Sequence, residues 1–196
     1  MHPHKQQLLQ FILANQSMPI EKAILIVERF TERTFYKNDL LLKEGTRCFE
    51  YHFLCDGFMR AWTIDLEGRE VTTAFYRTGT VVCELFSFFK HVPARENIQA
   101  TVNCNTLFIT FDKLQEVFHS MPEFREFGRG ILVNAYATLK QRMLSTLHET
   151  AEQRYKNLLS AAPDVFQFAS LKQIASFLGV TDSSLSRIRK EFAKEG

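Results

Sequence analysis

The sequence predicts an α+β chain in three parts: a strand-rich jelly roll or barrel, one long helix and a C-terminal helix-turn-helix. Three observations carry that prediction. From about Thr34 to Phe111, short runs of β-branched and aromatic residues alternate with turn residues. Between Glu123 and His148 no proline occurs, and no glycine follows Gly130. Around Gly179, two short amphipathic runs are joined by a tight turn. The parts read as residues 1–121, 122–149 and 150–196.

Taken in order, residues 5–30 read as helical, with Leu8, Leu9, Ile12 and Leu13 on one face and Pro19 opening a second segment that ends near Phe30. Strands follow. Asp56-Gly57, between EYHFLC and FMRAWTI, and Glu67-Gly68, between AWTIDL and REVTTAFY, both read as hairpin-like breaks. Lys43-Glu44-Gly45 and Thr78-Gly79 mark further turns, and IQATVNCNTLFITF supplies two strands around Asn105. Seven or eight short strands in so few residues imply an antiparallel barrel or jelly roll.

Asp112 then caps a short helix to about His119, and Pro122 fits the first turn of the long one. Residues 123–148 span roughly 39 Å at 1.5 Å per residue. Their apolar positions cover more than one stripe, so the helix needs two partner surfaces. One is the barrel. The other is the same helix of a second subunit, through Leu132, Ala135, Leu139 and Met143 at seam spacing. Burial within one chain is the alternative.

In the tail, Pro163 follows the helical run AEQRYKNLLSAA. Ser170 caps a helix to about Leu178, Gly179 makes the turn, and Thr181 caps a second helix with Asp182 near its positive end. Ile174, Leu178, Val180, Leu185 and Ile188 meet between the helices, and small Ala175 permits close approach. The outward face of the second helix then carries Asp182, Ser183, Ser186, Arg187 and Lys190, with Arg189 beside them. Such residues suit DNA. Arg187 matches guanine O6/N7 in the major groove, while Ser170, the other hydroxyls, Arg189 and Lys190 match phosphates. A helical hairpin with a merely solvated charged face is the bland alternative.

Composition narrows the class. With 196 residues, 45% hydrophobic and 23% charged, the chain is an ordinary globular one rather than a disordered or low-complexity one. No apolar run approaches the roughly 18 residues that cross a bilayer, and MHPHKQQLLQ lacks the layout of a signal peptide. A cytoplasmic protein without a membrane partner is expected. The net charge is +2, and the excess falls in the last 27 residues, where Lys172, Arg187, Arg189, Lys190 and Lys194 face Asp182, Glu191 and Glu195. Cys48, Cys55, Cys83 and Cys104 show no C-x-x-C spacing, which predicts reduced, mostly buried thiols. Nineteen phenylalanines predict an unusually aromatic core or pocket.

This layout resembles the Crp/Fnr superfamily of bacterial transcription factors. AEQRYKNLL at 151–159 and QIASFLGVTDSSLSRIRK at 173–190 look like the branch common in Bacteroidetes-type bacteria. The resemblance implies a cyclic-nucleotide-binding-like jelly roll, a dimerisation helix and a DNA-binding domain. It also implies a homodimer on a pseudo-palindromic operator, two recognition helices about 34 Å apart, and RNA polymerase as a partner.

In members that bind cyclic nucleotides, a G-E-L-G cassette and a following Arg-Ser pair hold the phosphate and ribose. Here the cassette reads CELF: Glu84 and Leu85 match, while Cys83 and Phe86 replace the glycines. The arginine position falls on Ala94, with Arg95 one place on. Without the glycines the backbone cannot approach a phosphate closely. The implied effector pocket (Cys83, Glu84, Leu85, Phe86, Ala94, Arg95) is therefore degenerate, and its effector is not cyclic AMP. A one-residue slip that brings Arg95 to the phosphate is the alternative. Phe75, Phe86, Phe88 and Phe89 allow an apolar effector pocket; a self-filled core is the bland reading.

No cofactor or metal is expected. Iron–sulfur members carry clustered N-terminal cysteines, and none precedes Cys48. The six histidines show no ligand spacing beyond the N-terminal HPH. An enzyme is disfavoured for want of a P-loop, G-x-S-x-G or H-E-x-x-H. The remaining rival is a module that senses an effector or partner protein without reading DNA. Only four residues follow Phe192, which leaves little room for a wing strand.

Overall fold

A computed structural model describes residues 1–195, with side chains described through Phe192. Lys194 and Glu195, counted in the basic tail, lie outside those side chains. Helices α1 (Pro3–Asn15) and α2 (Ile20–Val27) open the chain. Strands β1 (Thr31–Phe35), β2 (Leu40–Leu42), β3 (Glu50–Asp56), β4 (Phe58–Ile64), β5 (Glu70–Arg77) and β6 (Val81–Val82) follow. Helix α3 (Leu85–Lys90) separates these from β7 (Asn97–Ala100) and β8 (Cys104–Thr110). The rest is helical: α4 (Phe111–Ser120), α5 (Pro122–His148), α6 (Ala151–Ala161), α7 (Val165–Phe168), α8 (Leu171–Leu178) and α9 (Asp182–Glu195).

The strands form two antiparallel four-stranded sheets, ordered β1-β8-β3-β6 and β2-β7-β4-β5. This is the expected sandwich, with three local corrections. Glu67-Gly68 does turn a hairpin, β4 to β5, and Asp65 closes it by accepting the Glu67 and Arg69 amides at 2.9 Å each. Asp56-Gly57 does not. There the chain leaves one sheet for the other, with Gly57 at φ +102°. A Cβ at Gly57 would lie 2.5 Å from Cys104 Sγ and 2.6 Å from the Asn103 carbonyl oxygen, so the crossing needs glycine for both conformation and space. The second break falls at residues 101–103 rather than at Asn105, which lies inside β8 opposite Thr34. The third concerns α4, which begins one residue before Asp112; that aspartate sits in its first turn and caps nothing.

The inner faces of both sheets bury Leu42, Phe53, Met59, Ile98 and Leu107, and α1 adds Leu8, Leu9 and Ile12. One polar cluster interrupts this core. His52 is fully buried, with Nδ1 at 3.1 Å from Thr106 Oγ1 and Nε2 at 3.2 Å from Glu50 Oε2. Arg33 forks onto the same carboxylate, and its guanidinium lies over the Phe108 ring. Burial lowers the His52 pKa against the pull of Glu50, so the ring is neutral. Glu50 itself is pulled down to about 2, first by its bond with His52.

A second core joins Tyr155, Val165, Ile174, Ala175, Leu178, Leu185 and Ile188 of the C-terminal helices. Phe58 of β4 belongs to it, fully buried and stacked on Phe168 at 5.4 Å between centroids. The helix-turn-helix is therefore seated on the sandwich. Thr72 N–H donates to Ser176 Oγ (3.1 Å), Arg77 pairs with Asp164 (2.6 Å), and Phe75 meets Phe177 at 4.9 Å.

Candidate nucleic-acid interface and effector cavity

Helix α8 starts in a capping box: Ser170 Oγ accepts from the Gln173 amide (3.3 Å), and Gln173 Oε1 accepts from the Ser170 amide (2.8 Å). It stops at Gly179, whose φ of +68° lets the Val180 amide reach the Ala175 carbonyl (3.0 Å). Thr181 Oγ1 accepts from the Ser184 amide (3.2 Å) and starts α9. Burial of Leu185 and Ile188 turns Asp182, Ser183, Ser186, Arg187, Arg189 and Lys190 outward, and all six are exposed. Among the described residues, Arg187, Arg189 and Lys190 have no ion-pair partner. The arrangement is three unneutralised cations and two serines on one helix face. Ser170 and Thr181 are exposed too, but their hydroxyls already serve the backbone as caps.

The long helix α5 buries only its first turns, through Phe124 and Phe127. Beyond them Leu132, Tyr136, Leu139, Met143 and Leu147 are all exposed. At about 100° per residue they share a stripe about 80° wide. Ala135, placed in this seam by its spacing, is exposed about 40° from Leu139, at the edge of the stripe that Tyr136 and Leu147 extend.

Between β5 and α5 lies a cavity of about 590 Å³. Phe11, Phe75, Tyr76, Cys83, Leu85, Ile131, Ala135 and Leu139 line it, together with Arg142 and Phe177. The cassette residues do not gather there. Cys83 and Leu85 face this cavity, whereas Phe86, Ala94 and Arg95 line a separate surface depression with Glu44 and Pro93. Glu84 caps α3, its carboxylate accepting from the amides of Phe86 (3.3 Å) and Ser87 (2.7 Å). Phe86 is exposed beneath the Arg95 guanidinium, 5.9 Å from the ring centre. The aromatic set disperses as well: Phe88 is buried against Phe89 and Phe111, and of the four only Phe75 reaches the cavity.

The decisive residue at the cavity was not legible in the sequence. Arg142 bonds the main-chain carbonyls of Thr73 in β5 and Phe177 in α8 (3.2 Å to the latter) and lies 3.9 Å over the Phe177 ring. It ties sandwich, long helix and helix-turn-helix together. Its partners are backbone atoms of distant elements, and no residue spacing announces those.

All four cysteines are buried free thiols. Cys48 and Cys83 lie 3.9 Å apart, and that contact lowers the Cys48 pKa, while burial raises Cys83. The N-terminal HPH gains a carboxylate: His2 Nδ1 is 2.6 Å from Glu32 Oε1, and ligand atoms of His2, His4 and Glu32 fall within 4.8 Å of one another. No helix is long and apolar enough to cross a membrane.

Residues 32–121 match the cyclic nucleotide-binding domain family. Over 183 residues the chain is 24% identical to the regulatory protein HlyX of Actinobacillus pleuropneumoniae, spanning 87% of this chain and 74% of that protein. It is 23% identical over 181 residues to the fumarate and nitrate reduction regulatory protein of Yersinia pestis, at 86% and 70%. FixK2 from Bradyrhizobium japonicum shares the fold with a TM-score of 0.71 at 18% identity, over 85% of this chain and 86% of that one. A CooA mutant from Carboxydothermus hydrogenoformans does so with a TM-score of 0.69 at 21% identity, over 96% and 85%. From residue 32 to 121 this chain is thus similar to the cyclic nucleotide-binding domain family, and over most of its length it shares the fold of FixK2 and CooA.

Proposed function

We propose that the protein is a cytoplasmic, homodimeric, sequence-specific transcriptional regulator. In this reading residues 1–121 sense, 122–149 dimerise and 150–196 read DNA. The observation that carries it is the exposed face of α9, with Ser183, Ser186, Arg187 and Lys190 outward and, among the described residues, no carboxylate paired to its cations. The solvent-facing stripe of α5 supports a second copy as its cover, because five large apolar side chains on one exposed face match a helix–helix seam. The tail segments at 151–159 and 173–190 favour the Bacteroidetes-type branch. RNA polymerase is the further partner such a regulator would meet at a promoter.

The separation of Ala94 and Arg95 from Cys83 and Leu85 speaks against a cyclic nucleotide held by the cassette. It favours a different effector. The seating of the helix-turn-helix on β5 supports a mechanism in which an effector shifts that contact and changes the angle between the two readers. Such a shift requires unequal affinity for the two arrangements.

Selection of sites from random duplex DNA by the ligand-free dimer, at stated salt, tests the reading. An inverted repeat with half-sites one helical turn apart is expected. Arg187→Ala should then relax one base position and cost about 1–3 kcal/mol. Equal weakening on every sequence would assign Arg187 to phosphate instead. Failure to enrich any sequence, with or without cell extract, would leave the second reading, an effector-binding module that does not read DNA.

A further inference from the structure

We infer that the cavity between β5 and α5 binds an amphipathic anion, an apolar body carrying one carboxylate, sulfonate or phosphate, with Arg142 taking the charge. The cavity volume of about 590 Å³ suits a small organic molecule. Its walls are mainly apolar, through Phe11, Phe75, Ile131 and Leu139. At one end stands a cation with no anion. Among the described residues, no carboxylate lies within ion-pair distance of Arg142. Its partners are two neutral carbonyls and an aromatic ring.

Glu96, the acid nearest in charge, is held by Thr73 Oγ1 at 2.5 Å, and its own burial opposes ionisation. A half-buried guanidinium thus hydrogen-bonds only neutral acceptors, with Glu96 acting on it through space. A ligand anion would replace those bonds with charge-assisted ones of roughly twice the strength. Of the two bonds, the one to the Phe177 carbonyl is the longer and holds the helix-turn-helix, so it is the one a ligand anion would exchange first. Binding would therefore loosen α8 from β5. That consequence rests on the regulator reading; the binding itself does not.

Fluorescence titration of the full chain with a matched pair of probes tests the site. One is 8-anilinonaphthalene-1-sulfonate; the other is neutral N-phenyl-1-naphthylamine, the same apolar body without the anion. The sulfonate is expected to bind at least about 10-fold tighter. Arg142→Gln should abolish that preference and leave the neutral probe bound. Ala135→Trp, which fills the cavity and keeps Arg142, should weaken both probes. Equal affinity of the wild type for the two probes would overturn the proposal. So would a preference that survives Arg142→Gln, or binding untouched by Ala135→Trp. If Arg142→Gln does not fold, the wild-type ratio and Ala135→Trp still decide. Site selection on DNA without any probe reads the regulator proposal separately, so a failure of one is not a failure of the other.

Discussion

Glu50 and His52 show how two residues can set the acid limit of the whole sandwich. Glu50 has a folded pKa of about 2 against an ordinary value of 4.5. Its stabilisation is complete above pH 4.5 and disappears as pH falls toward 2. His52 is also shifted down, so protons favour the unfolded chain as pH drops below its ordinary 6.5. Both groups act in one direction, and each lowers stability on the acid side. Thermal melts across pH 2–7 should show the gap between wild type and Glu50→Gln narrowing steadily below pH 4.5. A gap independent of pH would remove Glu50 from the acid limit. None of this cluster was legible beforehand, because Arg33, Glu50, His52 and Thr106 come from three strands whose pairing sets their meeting.

At the level of elements, local rules worked where a structure is local. The α8–α9 turn was readable because capping hydroxyls, a left-handed glycine and buried positions three apart follow from sequence spacing alone. Asp56-Gly57 misled for the opposite reason. A strand that crosses between sheets and one that turns back both carry a positive-φ glycine between alternating runs, and only the partner strands distinguish them. The two glycines of α5 also differ. A Cβ on Gly128 would lie 2.7 Å from the Phe118 ring, whereas nothing stands within 4 Å of one on Gly130. Gly130→Ala should therefore stabilise the protein by about 0.5–1 kcal/mol in denaturant melts, and Gly128→Ala should not. Equal effects would mean that α4 yields freely to α5.

For the whole molecule, assembly follows from the exposed side of α5. Tyr136 and Leu147 are each 68% exposed, so the monomer fold does not depend on them. The double change Tyr136→Asp and Leu147→Asp should convert a dimer into a folded monomer in sedimentation at micromolar concentration. A wild type already monomeric there would remove the seam. The β5–α5 cavity and the exposed stripe lie on adjoining faces of the same rod, and Leu139 touches both. The cassette motif splits over two surfaces, Cys83 and Leu85 at the cavity and Phe86, Ala94 and Arg95 at the depression, because cavity shape depends on where the helices finally pack.

Phe58 carries one more consequence. Its ring starts in the sandwich and is buried among the C-terminal helices. The two halves are therefore poor interchangeable parts. A chimera that kept this sandwich but received a relative's reader would leave Phe58 and its neighbour Phe75 facing a surface shaped for other side chains. Exchange of the reader would succeed only if α7 and α8 travelled with it, or if the residue at 58 were changed in the same step. The helix-turn-helix is thus inherited together with the hydrophobic seat beneath it.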